Sequence, residues 1–357
     1  MERDHHLRVQ TTRARRLPVV VVGLGPIGVE VAQLLLARPE LFRFVAAVDR
    51  APEIAGRPLR EVLGDAAPRG RIRPAAPAAP RGQALAFLTT TSSVRSVAAT
   101  IRELLGFGYH VVSSTEELSY PSLRAPRLAA ALDRAAREAS RCVVGTGINP
   151  GFAMDVWPLV LASNMQTLER VQVTRVVDAA KRRRTLQLKV GAGMSRREFE
   201  ALAQAGRIGH VGLVESCAHL AAALGWELER VHESLRPKVA TRRIRTEHVE
   251  VPAGRVCGII HRALGYVGRR ALVELDLQMY LGAKDARDDV RLEGTPPLRC
   301  TVPGGFHGDR TTAAQLLSAA ARVDGFQPGL HIASDLPTPR RPGPRLKLSL
   351  IDGNRGQ

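Results

Sequence analysis

Residues 19–28 read VVVVGLGPIG, and a second apolar run at residues 44–50, FVAAVDR, carries Asp49 near its end. Val19–Val22 is a β-branched run short enough to be a strand buried on both faces of a parallel sheet. Gly23, Gly25 and Gly28 then have the G-x-G-x-x-G spacing, with Pro26 and Ile27 between the last two. The first glycine permits a tight turn. The second lets a pyrophosphate approach the backbone, and the third lets a helix pack closely on the strand. Val29–Leu36 continues as that helix, and its N-terminal amides and dipole favour an anion at this end. Asp49 follows Gly28 by 21 residues, where a carboxylate can accept hydrogen bonds from a ribose 2′-hydroxyl. A strand before the glycines, a helix after them and an acid at this distance predict a dinucleotide-binding unit. Asp49 favours NAD(H), whereas Arg50 beside it could pair with a 2′-phosphate and leaves NADP(H) open.

The rest of the first half extends the pattern. Strands are expected at Phe44–Val48, Ala84–Thr89, Tyr109–Ser113 and Arg141–Gly145, with helices after residue 90 and over Arg127–Ser140. Strand, helix, strand in this order predicts a doubly wound α/β Rossmann sheet over residues 17–150, with ligands at the carboxyl ends of its strands. The proline- and alanine-rich stretch 64–83 reads as a surface excursion without a function.

After Gly151 the texture changes. Helices are expected at Met154–Ser163, from an N-cap at Ser195 to a C-cap at Gly206, and in VESCAHLAAALGW (residues 214–226). Val171–Val177, Leu186–Val190, Ile244–Val251, Val256–Gly265 and Ala271–Tyr280 read as strands. These predict an α+β substrate and dimerisation domain over residues 151–305 with a mixed or antiparallel sheet, whose outer face needs a partner and so suggests a homodimer. A helix in residues 306–336 is expected to return to the first domain. Residues 1–16 and 337–357 read as basic tails, the first flexible and the second proline-rich.

Composition limits the alternatives. The chain of 357 residues is 45% hydrophobic, long enough for two domains, and has no apolar run of membrane-spanning length. Four scattered cysteines without a C-x-x-C pair, and no secretory h-region, point to reduced thiols in the cytoplasm. The net charge of +18 would suit a nucleic acid, yet 5 of the 52 basic residues are lysines, arginine is spread throughout, and aromatics are only 4%. No nucleic-acid-binding motif accompanies the charge, so the chain does not read as a nucleic-acid binder. No metal-ligand spacing, G-x-S-x-G or P-loop occurs.

The candidate chemistry lies at strand ends. SSTEELSYP (residues 113–121) follows the fourth strand and places Glu116 as the acid/base candidate, to be distinguished from Glu117 beside it. Helix capping is the competing role for this pair of acids. Thr90 after the third strand, and Asn149 and Pro150 in GTGINPGF (residues 145–152), are placed against the cofactor. Arg175 and His210 are candidate substrate-binding groups, and Tyr120, Phe152 and Trp157 are candidate pocket walls that could equally be core.

Taken in order, VVGLGPIG, STEELSYP, GTGINPGFAMD, RVVDAAKRR, KVGAGMSRREF, GHVGLVES and GDRTTAAQLL resemble the 2,4-diaminopentanoate dehydrogenases and native amine dehydrogenases, over about Leu17 to Pro337. The N-terminal half is similar to the dihydrodipicolinate reductase-like Rossmann family. The resemblance implies NAD(P)-dependent interconversion of a primary amine with a carbonyl plus ammonia in a homodimer. It also implies Glu116 as the catalytic carboxylate and Phe152 and Trp157 as pocket residues. The histidine-rich signature of true dihydrodipicolinate reductases is absent. Reduction of a cyclic imine without free ammonia, and a non-catalytic nucleotide sensor, stand as the alternative readings.

Overall fold

The computed structural model describes residues 6–11, 16–323, 326–337 and 346–351. Of the expected tails, residues 1–5, 12–15, 338–345 and 352–357 lie outside the described residues. The described parts pair as an antiparallel ladder between β1 (His6–Thr11) and β16 (Leu346–Ile351).

The first layered unit alternates strand and helix: β2 (Leu17–Val22), α1 (Pro26–Leu36), β3 (Phe42–Val48), α2 (Leu59–Leu63), β4 (Leu85–Leu88), α3 (Val94–Gly106), β5 (His110–Ser113), α4 (Pro126–Glu138) and β6 (Cys142–Gly145). These strands form an all-parallel sheet in the order β6-β5-β4-β2-β3, and β15 (Gly329–His331) adds a sixth strand beside β6. Both faces are covered. Val31, Ala32 and Leu35 of α1 pack on one side with Ala313, Leu316 and Leu317 of α9 (Gly308–Ala320), and α3 and α4 cover the other. Double coverage explains why the strands are continuous apolar runs instead of alternating ones.

The stretch 64–83 is more than an excursion. Arg73 exchanges backbone hydrogen bonds with the end of β3, donating to Ala47 O and accepting from Asp49 N. The Tyr109 hydroxyl donates to Pro77 O, and Ile72 is buried in the core.

The second unit is a mixed sheet in the order β14-β13-β7-β12-β11-β8. Its strands are β7 (Thr167–Asp178), β8 (Arg230–Val239), β11 (Val256–Val267), β12 (Arg270–Tyr280), β13 (Arg287–Thr295) and β14 (Leu298–Pro303). Only β7 and β12 run parallel. Val173, Leu275 and Val290 of the sheet share a core with α5 (Val156–Ala162) and α8 (Leu213–Ala223). The α7 helix (Arg196–Gln204) starts at Ser195 with a complete capping box to Glu198, as the sequence predicts.

Two strand expectations need correction. Leu186–Val190 is helical within and just after α6 (Arg184–Lys189). Its alternation suits a strand, but Gln187 and Val190, three apart, are the buried residues, the Gln187 amide donating to the Ala180 and Arg182 carbonyls. Ile244–Val251 is a small hairpin, β9 (Ile244–Arg245) with β10 (Glu250–Val251). The Thr246 hydroxyl accepts from the His248 and Val249 amides and turns the chain there.

Candidate active site

The glycine turn after β2 has the geometry its spacing predicts. A Cβ on Gly28 would lie 1.8 Å from Gly23 O, so this glycine lets α1 rest on the turn. Gly23 has φ +90° and is wedged against Thr89 and Thr90. Gly25 faces open space, with nothing within 4 Å of an added Cβ. No side chain caps α1, so its first amides remain available to an anion, and Pro26 sits at the helix start where no amide is needed. The Thr89 hydroxyl, donating to Gly23 O at 2.7 Å, braces the turn.

Two cavities meet at Thr90, on either side of that turn. The smaller, about 140 Å³, is walled by Asp49 and Arg50 at the end of β3, Thr100 and Glu103 on α3, and Ala76 from the 64–83 stretch. The Asp49 carboxylate accepts from Leu24 N at 2.6 Å and Ala51 N at 2.9 Å, one bond per oxygen. Each oxygen keeps a lone pair for a ribose hydroxyl. Arg50 is paired with Glu103 at 2.9 Å.

The larger cavity, about 350 Å³, opens between the parallel sheet and the mixed sheet. Gly25, Pro26 and Ile27 line one side of it, and Asn149 and Pro150 the floor. Glu116 lines it too, at the head of a 3-10 turn, Glu116–Ser119. That turn lies directly on β6 because residue 145 is glycine; a Cβ there would be 2.4 Å from Leu118 O. Hydroxyls pin the approach, Ser113 donating to Leu88 O and Thr115 to Thr91 O.

The two adjacent acids have different tasks. The Glu117 carboxylate accepts from Val94 N at 2.8 Å and caps α3. The Glu116 carboxylate has no partner among the described residues and borders the cavity. Opposite it, Gly212 at φ +100° lets the 209–213 loop touch Pro150 and the Glu116 Cβ, a fit that any side chain there would block.

His210 also lines the cavity. Burial pushes its pKa down to about 3, helped by the positive charges of Lys189 and Arg175, so it is a neutral imidazole. Its backbone N–H donates to His261 Nδ1 at 3.3 Å, while its own Nε2 is buried without a partner. Asn149 Oδ1 is another buried acceptor without a partner. The far wall is cationic. Arg175 donates to Asp288 at 3.1 Å and to Phe306 O at 2.8 Å, and Arg182 and Arg183 both pair with Asp309 at the start of α9. Arg182 and Arg183 thus fasten the mixed-sheet unit to the helix that packs on α1.

Tyr120, Phe152 and Trp157 do not line this cavity. Tyr120 stacks on His219 with centroids 6.1 Å apart. Phe152 and Trp157 meet Phe306 edge-on, one layer behind Arg175. Sequence reasoning missed Glu103, an ordinary acid on an amphipathic helix, and the roles of Thr89 and Asp309. No group of three His, Cys, Asp or Glu side chains suited to a metal occurs among the described residues, and no described helix is long and apolar enough to cross a membrane.

A parallel sheet with this glycine turn, opening onto a cleft shared with a mixed sheet, defines a Rossmann-type dinucleotide-binding protein. Residues 152–343 match the model of the 2,4-diaminopentanoate dehydrogenase C-terminal domain, and the chain belongs to that family. It is 28% identical over 341 residues to the 2,4-diaminopentanoate dehydrogenase of Acetoanaerobium sticklandii, covering 91% of this chain and 94% of the relative. In fold it is similar to an amine dehydrogenase from Mycobacterium smegmatis, with a TM-score of 0.77 and 21% identity across 92% of this chain and 98% of that one. A probable dehydrogenase from Thermotoga maritima is more distant, with a TM-score of 0.54 and 14% identity over 89% of this chain and 92% of that one.

Proposed function

We propose that the chain is an NAD(P)-dependent amine dehydrogenase, converting a primary amine, the oxidised dinucleotide and water into a carbonyl, ammonia, the reduced dinucleotide and a proton, and the reverse. One observation carries the reading: a carboxylate without a structural task, Glu116, borders the same cavity as the glycine turn. The open space at Gly25 and the orphan acceptor Asn149 Oδ1 suit a dinucleotide whose pyrophosphate lies on α1 and whose nicotinamide carboxamide reaches the floor. When bound, the dinucleotide accepts or supplies the hydride. Glu116 takes a proton from ammonium, returns protons as the carbinolamine loses water, and faces the iminium with opposite charge. His210, neutral with a free Nε2, accepts an amine N–H without competing as an acid. The cationic wall of Arg183 and Lys189 suits an amine that also bears a carboxylate, as in a diamino acid.

The enzyme we propose works as a cytoplasmic homodimer. The sheet face bearing Arg170–Glu274, Arg262–Asp276 and Arg299–Asp289 offers alternating charges to a second copy. Oxidation of NADH and NADPH is measured with a panel of carbonyls, with and without carboxylates, in the presence and absence of ammonium. An absolute requirement for ammonium is expected. Equal rates without it would turn the reading toward carbonyl or cyclic-imine reduction.

A further inference from the structure

We infer that Glu103, through its ion pair with Arg50, sets the preference of this chain for NAD(H) over NADP(H); the inference rests on the dinucleotide reading above. The smaller cavity is where the adenosine end of such a cofactor belongs, because it borders Gly23 and Asp49 on the side of the turn away from Glu116. A 2′-phosphate would arrive beside Asp49. That carboxylate cannot turn aside, because the Leu24 and Ala51 amides hold both its oxygens.

Arg50 is the one cation among the described residues lining this cavity, and its Nη2 is already 2.9 Å from Glu103 Oε2. Glu103 comes from α3, across the cavity from β3, so the guanidinium is drawn toward the far wall. The pair is exposed, 65% for Arg50 and 35% for Glu103, and such pairs are individually weak. Its effect therefore comes chiefly from charge. Asp49, Arg50 and Glu103 together present one net negative charge to an incoming phosphate. Without Glu103 the remaining two are neutral and the arginine fork is free to take two phosphate oxygens. A ribose 2′-hydroxyl is uncharged and meets Asp49 as a hydrogen-bond donor, so NAD(H) is spared this conflict.

The test is calorimetric titration of NAD+ and NADP+ into the full-length wild type, Glu103→Gln, Arg50→Ala and the double variant. Wild type is expected to bind NAD+ more tightly. Glu103→Gln should lower the ratio Kd(NADP+)/Kd(NAD+) about tenfold, equivalent to ~1.4 kcal/mol, and Arg50→Ala in that background should restore the ratio. An unchanged ratio in a Glu103→Gln protein that binds both dinucleotides overturns the role of Glu103 alone, as does a wild type that prefers NADP+. Binding of neither dinucleotide by wild type overturns the cofactor reading and this inference with it. Should Glu103→Gln fold poorly, Glu103→Ala decides by the same ratio, since it removes the same charge and places a strong helix former in α3.

Discussion

Glu116 and Glu117 are neighbours in sequence with opposite tasks in the structure, so exchanging each for glutamine separates chemistry from architecture. Glu116→Gln preserves size and removes only charge and basicity. Since the Glu116 carboxylate bonds to nothing among the described residues, stability should stay within about 0.5 kcal/mol of wild type. Turnover should decline by ~10²–10⁴, the usual cost of losing a positioned acid/base, or ~2.7–5.4 kcal/mol of barrier. Glu117→Gln should do the reverse. It keeps an acceptor for Val94 N but loses the charge at the start of α3, costing about 0.3–1 kcal/mol, and Glu117→Ala loses the cap outright, about 1 kcal/mol. Turnover in both Glu117 variants should remain within tenfold of wild type. The assay combines initial rates of ammonium-dependent NADH oxidation, dinucleotide titration and urea unfolding on all three proteins. Dinucleotide affinity should survive in Glu116→Gln. The reasoning is refuted if Glu116→Gln keeps its turnover, or if Glu117→Gln loses as much turnover without losing stability.

Two further outcomes follow from the same geometry. Gly25→Ala should fold normally, because its φ is −63° and an added Cβ meets nothing, yet it should weaken dinucleotide binding at least tenfold by occupying the pyrophosphate's approach. Gly28→Ala should instead unfold or misfold, its Cβ overlapping Gly23 O; thermal melts beside titrations distinguish the two, and a stable Gly28→Ala would contradict the packing. For pH, His110 is pushed down to about 4, first by burial and then by Arg141, and its Nδ1 accepts from Cys142 N. Its folded pKa lies below the unfolded value of about 6.5, so the unfolded chain takes up the proton first and stability declines as pH drops from about 6.5 toward 4. Urea midpoints between pH 7 and 5 should show this slope, and His110→Asn should reduce it without abolishing it, because buried His210 titrates in the same direction; an unchanged slope would assign the whole effect to other groups.

What the sequence could reveal depended on where each residue finds its partner. In the parallel sheet the partners are uniform, apolar helices on both faces, so Val19–Val22 identifies its own environment, and the glycine turn is encoded by local clashes at Gly23 and Gly28. The mixed sheet solves its packing across strands. Asp288 in β13 is an unpromising strand residue until it stands opposite Arg175 of β7, and Asp289 finds Arg299 and Thr301 on β14. Neither β13 nor β14 was therefore visible in a single-strand pattern, and neither was β8 with Pro237 inside it. The site divides the same way. Residues at the carboxyl ends of strands, such as Glu116 and Asn149, were legible because the sheet topology alone places them at the cleft. The strand end and the family resemblance single out Glu116, but what keeps Glu117 away from the cleft, an amide donated by α3, is tertiary and has no local signal. Type and family resemblance alike point Phe152 and Trp157 to the pocket, with a core role as the alternative, and Phe306, well over a hundred residues away, takes their edges. Phe306 in turn accepts from the guanidinium of Arg175, a residue that lines the cavity. The aromatic layer thus acts on the cleft by holding that arginine in place, a role fixed by tertiary contacts and carried by no local motif.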